Sequence, residues 1–206
     1  MKNSEYLKVM CRDHHDRIES SLDLMKICTD RNLYRNLLNA FAGFYREIEK
    51  ELSFFQHQLS TYGIYLEERL KLKMILMDLK SLEKDFIGEE QSEDNFGPHR
   101  IKIQIKAQKK INNIHQAMGT LYVLEGSTLG AQIIYSQLIK HQMIGPQGEG
   151  GRFFLAYGQN TSQKWNQFKA ALDTFALEDR CLLLKAAQET FEDLRDYLAR
   201  NLELQR

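Results

Sequence analysis

This 206-residue sequence has little cysteine, little proline and no excess of either charge. The cysteines Cys11, Cys28 and Cys181 form no Cys-x-x-Cys pair, which argues against a disulfide framework and favours reduced thiols in a cytoplasmic protein. The 28 basic and 28 acidic residues cancel, which argues against nucleic acid or an anionic membrane as a partner. We expect no transmembrane span, because the chain lacks an apolar run of about 18 residues.

Alternating strand patterns and internal repeats are also absent, and Pro98 and Pro146 fall outside the strongly periodic segments. Apolar residues instead recur at helical spacing through most of the chain. We therefore expect one all-α domain over residues 1–206, a multi-helical bundle large enough to bury a core without disulfides. The pattern predicts helices over Leu7–Cys28, Leu33–Leu59, Ile64–Leu82, a region from near Arg100 to before Gly145, Lys164–Phe175 and Leu177–Leu204, with loops at Gly88–Pro98 and Gln147–Gln163.

The most informative feature present is a stripe of glycine on an apolar helix. Gly119, Gly126 and Gly130 are seven and four residues apart, so they return to nearly the same helical face. Glycine within a helix costs about 1 kcal/mol relative to alanine, so three on one face need a compensating close approach to the backbone. Contact with a second helix is the commoner explanation. A flat ligand is the alternative, and the Ser127 hydroxyl beside the stripe suits it.

A polar cluster near the N-terminus is the second informative feature. His15 and Glu19 are four residues apart and share a helix face with Lys8 and Arg12. A carboxylate that accepts one imidazole N–H fixes the ring and leaves the other nitrogen for a metal. The cluster thus presents a candidate axial ligand, its orienting carboxylate and two cations, although a solvated face with an incidental histidine explains the same pattern. His14 points about 100° away and is the weaker ligand candidate.

Together these two segments resemble the heme oxygenases, most closely the short bacterial kind associated with bacteriophytochromes. Leu121–Gly130 matches the bacterial form Leu-Tyr-Val-x-Glu-Gly-Ser-x-Leu-Gly almost residue for residue, and Leu7–Glu19 fits the family's N-terminal pattern. Met10 and Cys11 depart from it, because the family usually has Ala and Thr there. Further similarity runs through Phe41–Tyr45, Arg69–Leu72, Arg152–Phe154, Tyr157–Gly158, Trp165 and Phe168.

The resemblance implies a heme oxygenase-like bundle in which heme b is both cofactor and substrate. It assigns His15 as the axial ligand of the heme iron, with Glu19 orienting its ring, and Gly126, Ser127 and Gly130 as the lining of the distal, oxygen-binding side. With O2 and an external electron donor, a ferredoxin or a reductase, such enzymes open heme to biliverdin, carbon monoxide and ferrous iron. We expect the IX-alpha isomer.

The resemblance also places the heme propionates near Lys8 and Tyr122, with Arg12 a weaker candidate. Ser127 stands where mammalian relatives carry aspartate, so we expect proton delivery through ordered water held by backbone groups and Ser127. Glu125 lies inside an apolar helix and needs a partner or solvent, and it receives no catalytic role.

Two other classes of function stay open on the sequence. A heme carrier would use His15 and the glycine groove without turnover, and a degenerate scaffold would serve only as a partner-binding module. A di-iron bundle is disfavoured, because no glutamate is followed three residues later by histidine. The expected partners are heme and an electron-donor protein, and the subgroup adds a bilin-using photoreceptor as a candidate.

Overall fold

Ten α-helices and short 3-10 turns, with no strand, make up the part of the chain that this computed structural model describes, residues 1–87 and 110–203. The predicted all-α class is therefore confirmed, while the predicted loop at Gly88–Pro98 and the helical start near Arg100 lie outside the described residues. The helices are α1 (Asn3–Met10), α2 (Arg12–Ser21), α3 (Leu24–Ile27), α4 (Arg31–Ser53), α5 (Gln56–Ser60), α6 (Leu72–Ile87), α7 (Ile114–Lys140), α8 (Arg152–Leu155), α9 (Thr161–Leu172) and α10 (Arg180–Glu203).

The prediction of one continuous helix over Leu7–Cys28 was wrong, because the backbone turns twice within it. Cys11 leaves the helical region at φ −98° and ψ 1°, and Leu22 is extended at φ −111° and ψ 121°. The Asp23 carboxylate then accepts from the Lys26 backbone N–H at 3.0 Å and starts α3. Short carboxylates that compete for backbone N–H groups favour such helix starts over an uninterrupted helix.

The third predicted helix also begins later than its apolar pattern suggests, at Leu72 rather than Ile64. A short 3-10 turn occupies Leu66–Glu68. The Glu49 carboxylate, from α4, accepts from the backbone N–H groups of Lys71 and Leu72 at 2.6 and 3.0 Å. A side chain distant in sequence therefore satisfies the first donors of α6, and no local pattern announces that.

The N-terminal helix is anchored to the end of α9 by buried polar side chains. The Asn3 amide donates to the Phe175 carbonyl at 2.8 Å, and the Ser4 backbone N–H donates to an Asp173 carboxylate oxygen at 2.8 Å. Both Asn3 and Ser4 are buried. These bonds place α1, and with it the start of α2, beside α9.

The long helices α7 and α10 pack directly on each other at Gly119. A Cβ added to Gly119 would lie 2.4 Å from the Leu183 carbonyl oxygen and 2.7 Å from the Ala186 Cβ. One residue further along, the buried hydroxyls of Thr120 and Thr190 lie 3.2 Å apart. Helix packing therefore explains the first glycine of the stripe.

The predicted loop Gln147–Gln163 contains a short helix, α8, held by a buried carboxylate of α6. Asp78 accepts from the backbone N–H groups of Arg152 and Phe153 at 2.9 and 2.8 Å. Phe153 and Phe154 of this helix are buried. Within the described ranges, the helices are all too short or too polar to span a membrane.

Candidate functional site

The other two glycines of the stripe face space rather than a helix. A Cβ on Gly130 would meet nothing within 4 Å, and one on Gly126 would touch only the tip of the Trp165 ring at 3.7 Å. Gly130 is exposed and Gly126 is half-buried. The stripe therefore divides by role: Gly119 serves packing, whereas Gly126 and Gly130 leave one side of α7 bare, so that a flat ligand can reach the backbone. We call this the bare face of α7.

Ser127 is exposed beside the bare face. Its hydroxyl donates to the Leu124 carbonyl at 2.8 Å. Burial raises the pKa of Tyr45, from α4, and a hydrogen bond with Ser127 opposes that rise only in part. A protonated phenol thus stands behind Ser127. The sequence contains one hint of this role, since Tyr45 precedes Glu49 by one helical turn on α4.

His15 lies on α2 with its side chain 53% exposed and its ring edge against Phe191 of α10, at a centroid distance of 6.3 Å. Glu19 Oε1 is 3.6 Å from its Nε2, and Asp16 Oδ1 is 3.6 Å from its Nδ1. Each ring nitrogen therefore has a carboxylate nearby, and either one can bind a metal while the other is oriented. Sequence reasoning identified Glu19 and missed Asp16.

His14 is turned toward the bundle instead. Its side chain is 18% exposed, and Nε2 lies 3.4 Å from Glu192 Oε1 of α10. Its ring also lies 6.4 Å from Phe191. The structure thus gives His14 a packing environment and leaves the neighbouring His15 as the accessible imidazole.

The junction of α1 and α2 meets α7 at Tyr122. Burial raises the pKa of Tyr122, and the nearby Cys11 thiol raises it further, so the phenol stays protonated. The Tyr122 ring packs 5.6 Å from Trp165, the residue that faces Gly126. The fold therefore brings Cys11 of the first segment close enough to Tyr122 of the second to influence its pKa. Arg12 is exposed on α2.

A cleft of about 360 Å³ lies between α1 and α9, and lysines line it from both sides. Lys2 and Lys8 come from the N-terminal side, and Lys169 comes from α9. Lys169 Nζ is 6.0 Å from the centre of the Trp165 ring, so the cleft lies near the bare face. Sequence reasoning missed Lys169. Its signal was its spacing, one helical turn after Trp165 on α9.

Glu125 has the partners that its apolar surroundings require, as the sequence predicted. Its side chain is 1% exposed and forms an ion pair with Arg69, which is 2% exposed. The Tyr157 hydroxyl donates to Glu125 Oε1 at 2.7 Å. Lys71 Nζ lies 4.0 Å from the same oxygen and 3.6 Å from the centre of the Tyr157 ring. Arg69, Lys71, Glu125 and Tyr157 form a cluster that we call the buried charge cluster.

Comparison with known proteins adds a family to this geometry. The family model described as heme oxygenase matches residues 1–200. No curated protein matches the chain. Among solved structures, the fold is similar to that of the heme oxygenase from Neisseria meningitidis in its NO- and CO-bound forms, with 20% identity, 98% of this chain and 93% of that chain covered and a TM-score of 0.77.

Two further structures give the same result. The heme oxygenase from Leptospira interrogans is 17% identical over 97% of this chain and 100% of that chain, with a TM-score of 0.74. Heme oxygenase-1 from the cyanobacterium Synechocystis, in complex with heme, is 16% identical over 97% of this chain and 92% of that chain, with a TM-score of 0.71. At such identities these likenesses show the fold alone.

Proposed function

The chain belongs to the heme oxygenase family, and on that premise we propose that it opens heme, with O2 and electrons from an external donor, to biliverdin, carbon monoxide and ferrous iron. The observation that carries the proposal is the bare face of α7, where nothing lies within 4 Å of a Cβ built on Gly130 and only the Trp165 ring of α9 reaches Gly126. A ferredoxin or a reductase would supply the electrons, and the bilin product would suit a photoreceptor.

The residues present fit a heme. The porphyrin is flat with apolar faces, and α7 offers a face that is open at Gly130 and bordered at Gly126 only by the Trp165 ring. His15 is an exposed imidazole, and imidazole is a common proximal ligand of heme iron. Lys8 and Lys169 line one cleft, where charge-assisted hydrogen bonds to two propionates are available.

Bound heme supplies the iron at which oxygen is activated, and the protein residues bind, orient and protonate around it. His15 would hold the substrate from the α2 side, and the carboxylate beside its non-ligating nitrogen, Glu19 or Asp16, would orient the ring. The bare face of α7 would leave room for oxygen beside the bound substrate. We assign to the hydroxyls of Ser127 and Tyr45 the role of holding water and passing a proton toward that space.

The test of this function is heme turnover by the purified protein. We expect added heme to give a Soret band of histidine-ligated heme, and ascorbate with O2 to convert it to biliverdin absorbance. Catalase is included so that free hydrogen peroxide does not open the ring. A stable Soret band without biliverdin would instead indicate a heme carrier, and no Soret band would indicate a scaffold without heme.

The propionate contacts are expected to determine which meso carbon is attacked. The unmodified protein should give the alpha isomer of biliverdin. In the Lys8→Ala, Tyr122→Phe double variant we expect a changed isomer ratio and a nearly unchanged rate, because His15 is intact. Heme affinity should fall by no more than about tenfold, since Lys8 is exposed to solvent and Tyr122 supplies one neutral hydrogen bond. Chromatography of the extracted bilins measures the ratio.

A matched pair of variants separates the two candidates for the second propionate contact. Lys8→Ala is combined with Lys169→Ala in one protein and with Tyr122→Phe in the other. Lys2→Ala, in the same cleft, is the control for a general loss of positive charge. If both double variants keep the wild-type isomer ratio, none of Lys8, Lys169 and Tyr122 anchors the substrate.

A further inference from the structure

The buried charge cluster behind the bare face contains one cation that lacks a hydrogen bond. Lys71 Nζ has no hydrogen-bond partner among the described residues, and its side chain is 2% exposed. The carboxylate of Glu125 is already occupied by Arg69 and by the Tyr157 hydroxyl. A second carboxylate, Glu49, accepts from two backbone N–H groups at the start of α6. The ammonium of Lys71 is therefore held by electrostatic attraction and by the face of the Tyr157 ring.

The surroundings of Lys71 make it the member of the cluster whose charge changes near neutral pH. Burial lowers the pKa of Lys71 to about 8. The negative charge of Glu125, on α7, opposes this lowering. Among the weaker influences, Arg69 and Lys164 (α9) lower that pKa further, and Glu49 (α4) raises it. Arginine stays charged in proteins, so the Arg69–Glu125 ion pair persists while Lys71 titrates.

The cluster is connected to the bare face through adjacent residues. Glu125 directly precedes Gly126 and Ser127 on α7. The Tyr45 phenol hydrogen-bonds Ser127, and the charges of Glu49 and Glu125 also raise its pKa. A change of charge beside Glu125 should therefore alter the electrostatic potential at the hydroxyls of Tyr45 and Ser127.

We propose that Lys71 is a positioning residue: its buried ammonium holds Glu125 and Tyr157 in place and offsets the negative charge of Glu125 and Glu49 behind the bare face of α7. The effect of Lys71 on turnover rests on the proposed function. The cation makes a negative charge on the substrate side of α7 more favourable, and its loss weakens that effect. Lys71 acts through its neighbours and does not touch the substrate.

The first experiment needs no heme and tests whether Lys71 is a buried cation that loses its proton early. In the unfolded chain Lys71 keeps its proton up to its ordinary pKa of 10.5, whereas in the folded chain its pKa is only about 8. Folding is therefore favoured as pH rises through that window. Relative to Lys71→Met, the unfolding equilibrium constant of the wild type should fall by up to about 300-fold between pH 8 and 10.5.

Chemical denaturation of both proteins across this range gives the difference. Burial raises the pKa of the Cys11 thiol from 9.0 to about 12, so this group makes folding less favourable as pH rises above 9. The effect is the same in the wild type and in Lys71→Met, and it cancels in the difference. Lys80→Met, an exposed lysine of α6, is the matched control and should follow the wild type. A difference curve that is flat between pH 8 and 10.5 overturns the assignment of a buried, titrating cation.

The second experiment tests the coupling to the substrate by visible-spectrum pH titration of the ferric heme complex. Lys71→Met should shift the acid–alkaline transition of the heme to higher pH, because a neutral residue no longer favours hydroxide over water at the iron. Lys71→Arg should restore the wild-type midpoint, and turnover should follow the same order, with a loss of about tenfold in Lys71→Met. An unshifted transition in Lys71→Met overturns the coupling.

The two experiments fail separately from the proposed function. If the wild type binds heme and does not degrade it, the proposed turnover is wrong, while the spectral titration and the unfolding comparison still decide the role of Lys71.

Discussion

His15→Ala is expected to abolish the spectrum of histidine-ligated heme and nearly all turnover. The side chain is 53% exposed and its one ring contact is an edge-on approach to Phe191, so its removal should change the free energy of unfolding by no more than about 0.5 kcal/mol. A variant that folds like the wild type and gives no ligated Soret band separates the ligand role from a structural one. Added imidazole should restore part of the spectrum by filling the vacant position.

His14→Ala is the matched control, one residue away on the same helix. Its side chain is 18% exposed and lies 3.4 Å from Glu192, so we expect a loss of stability of about 1 kcal/mol and an unchanged heme spectrum. If His14→Ala loses the ligated spectrum while His15→Ala retains it, the assignment of the axial ligand is off by one residue. Glu19 and Asp16 then have no orienting role.

Gly130→Leu is expected to fold and to lose turnover by at least about a hundredfold. A Cβ at this position meets nothing within 4 Å, so the new side chain extends over the bare face without displacing protein atoms. It occupies the volume that oxygen and the porphyrin need, and a displacement of about 1 Å in an active site is enough for such a loss. Gly126→Leu should act similarly, with additional contact to Trp165. Thermal unfolding and heme turnover measure the two properties.

Gly119→Ala provides the opposite outcome on the same stripe. Its Cβ would lie 2.4 Å from the Leu183 carbonyl oxygen of α10, so stability should fall by about 1–3 kcal/mol or more. For a chain of this size that lowers the midpoint of thermal unfolding by about 2–4 °C per kcal/mol. A folded Gly130→Leu protein with wild-type turnover would show that the substrate does not lie over Gly130.

The features that could be predicted from the sequence are those that repeat locally. Apolar periodicity gave the all-α class and most helices, and the Asn113 side chain, which accepts from the Gln116 backbone N–H at 2.9 Å, starts α7 as such residues commonly do. The resemblance gave the family. The interruptions at Cys11 and Leu22 were missed, because capping by Asp23 competes with a periodicity that by itself favours a longer helix.

The features that could not be predicted depend on residues far apart in the chain. Whether a glycine of the stripe faces α10 or open space is decided by Leu183 and Ala186, more than 60 positions after Gly119. The partner of Glu125 could be anticipated as a need but not as Arg69. Lys169 was missed because the position of α9 beside α1 depends on contacts of Asn3 and Ser4 that no spacing rule describes.

Helix α10 contacts both α7 and α2, the two helices that carry the proposed substrate-binding residues. Its Ala186 limits how closely α7 can approach, and its Phe191 lies against the ring of His15 on α2. Because α10 contacts both helices, it determines how far apart α2 and α7 lie. For protein engineering, substitutions that change side-chain volume at Ala186 and Phe191 are therefore a way to alter the spacing of α2 and α7. They would let the site accept a thicker or more ruffled macrocycle and leave His15, Gly126 and Gly130 unchanged.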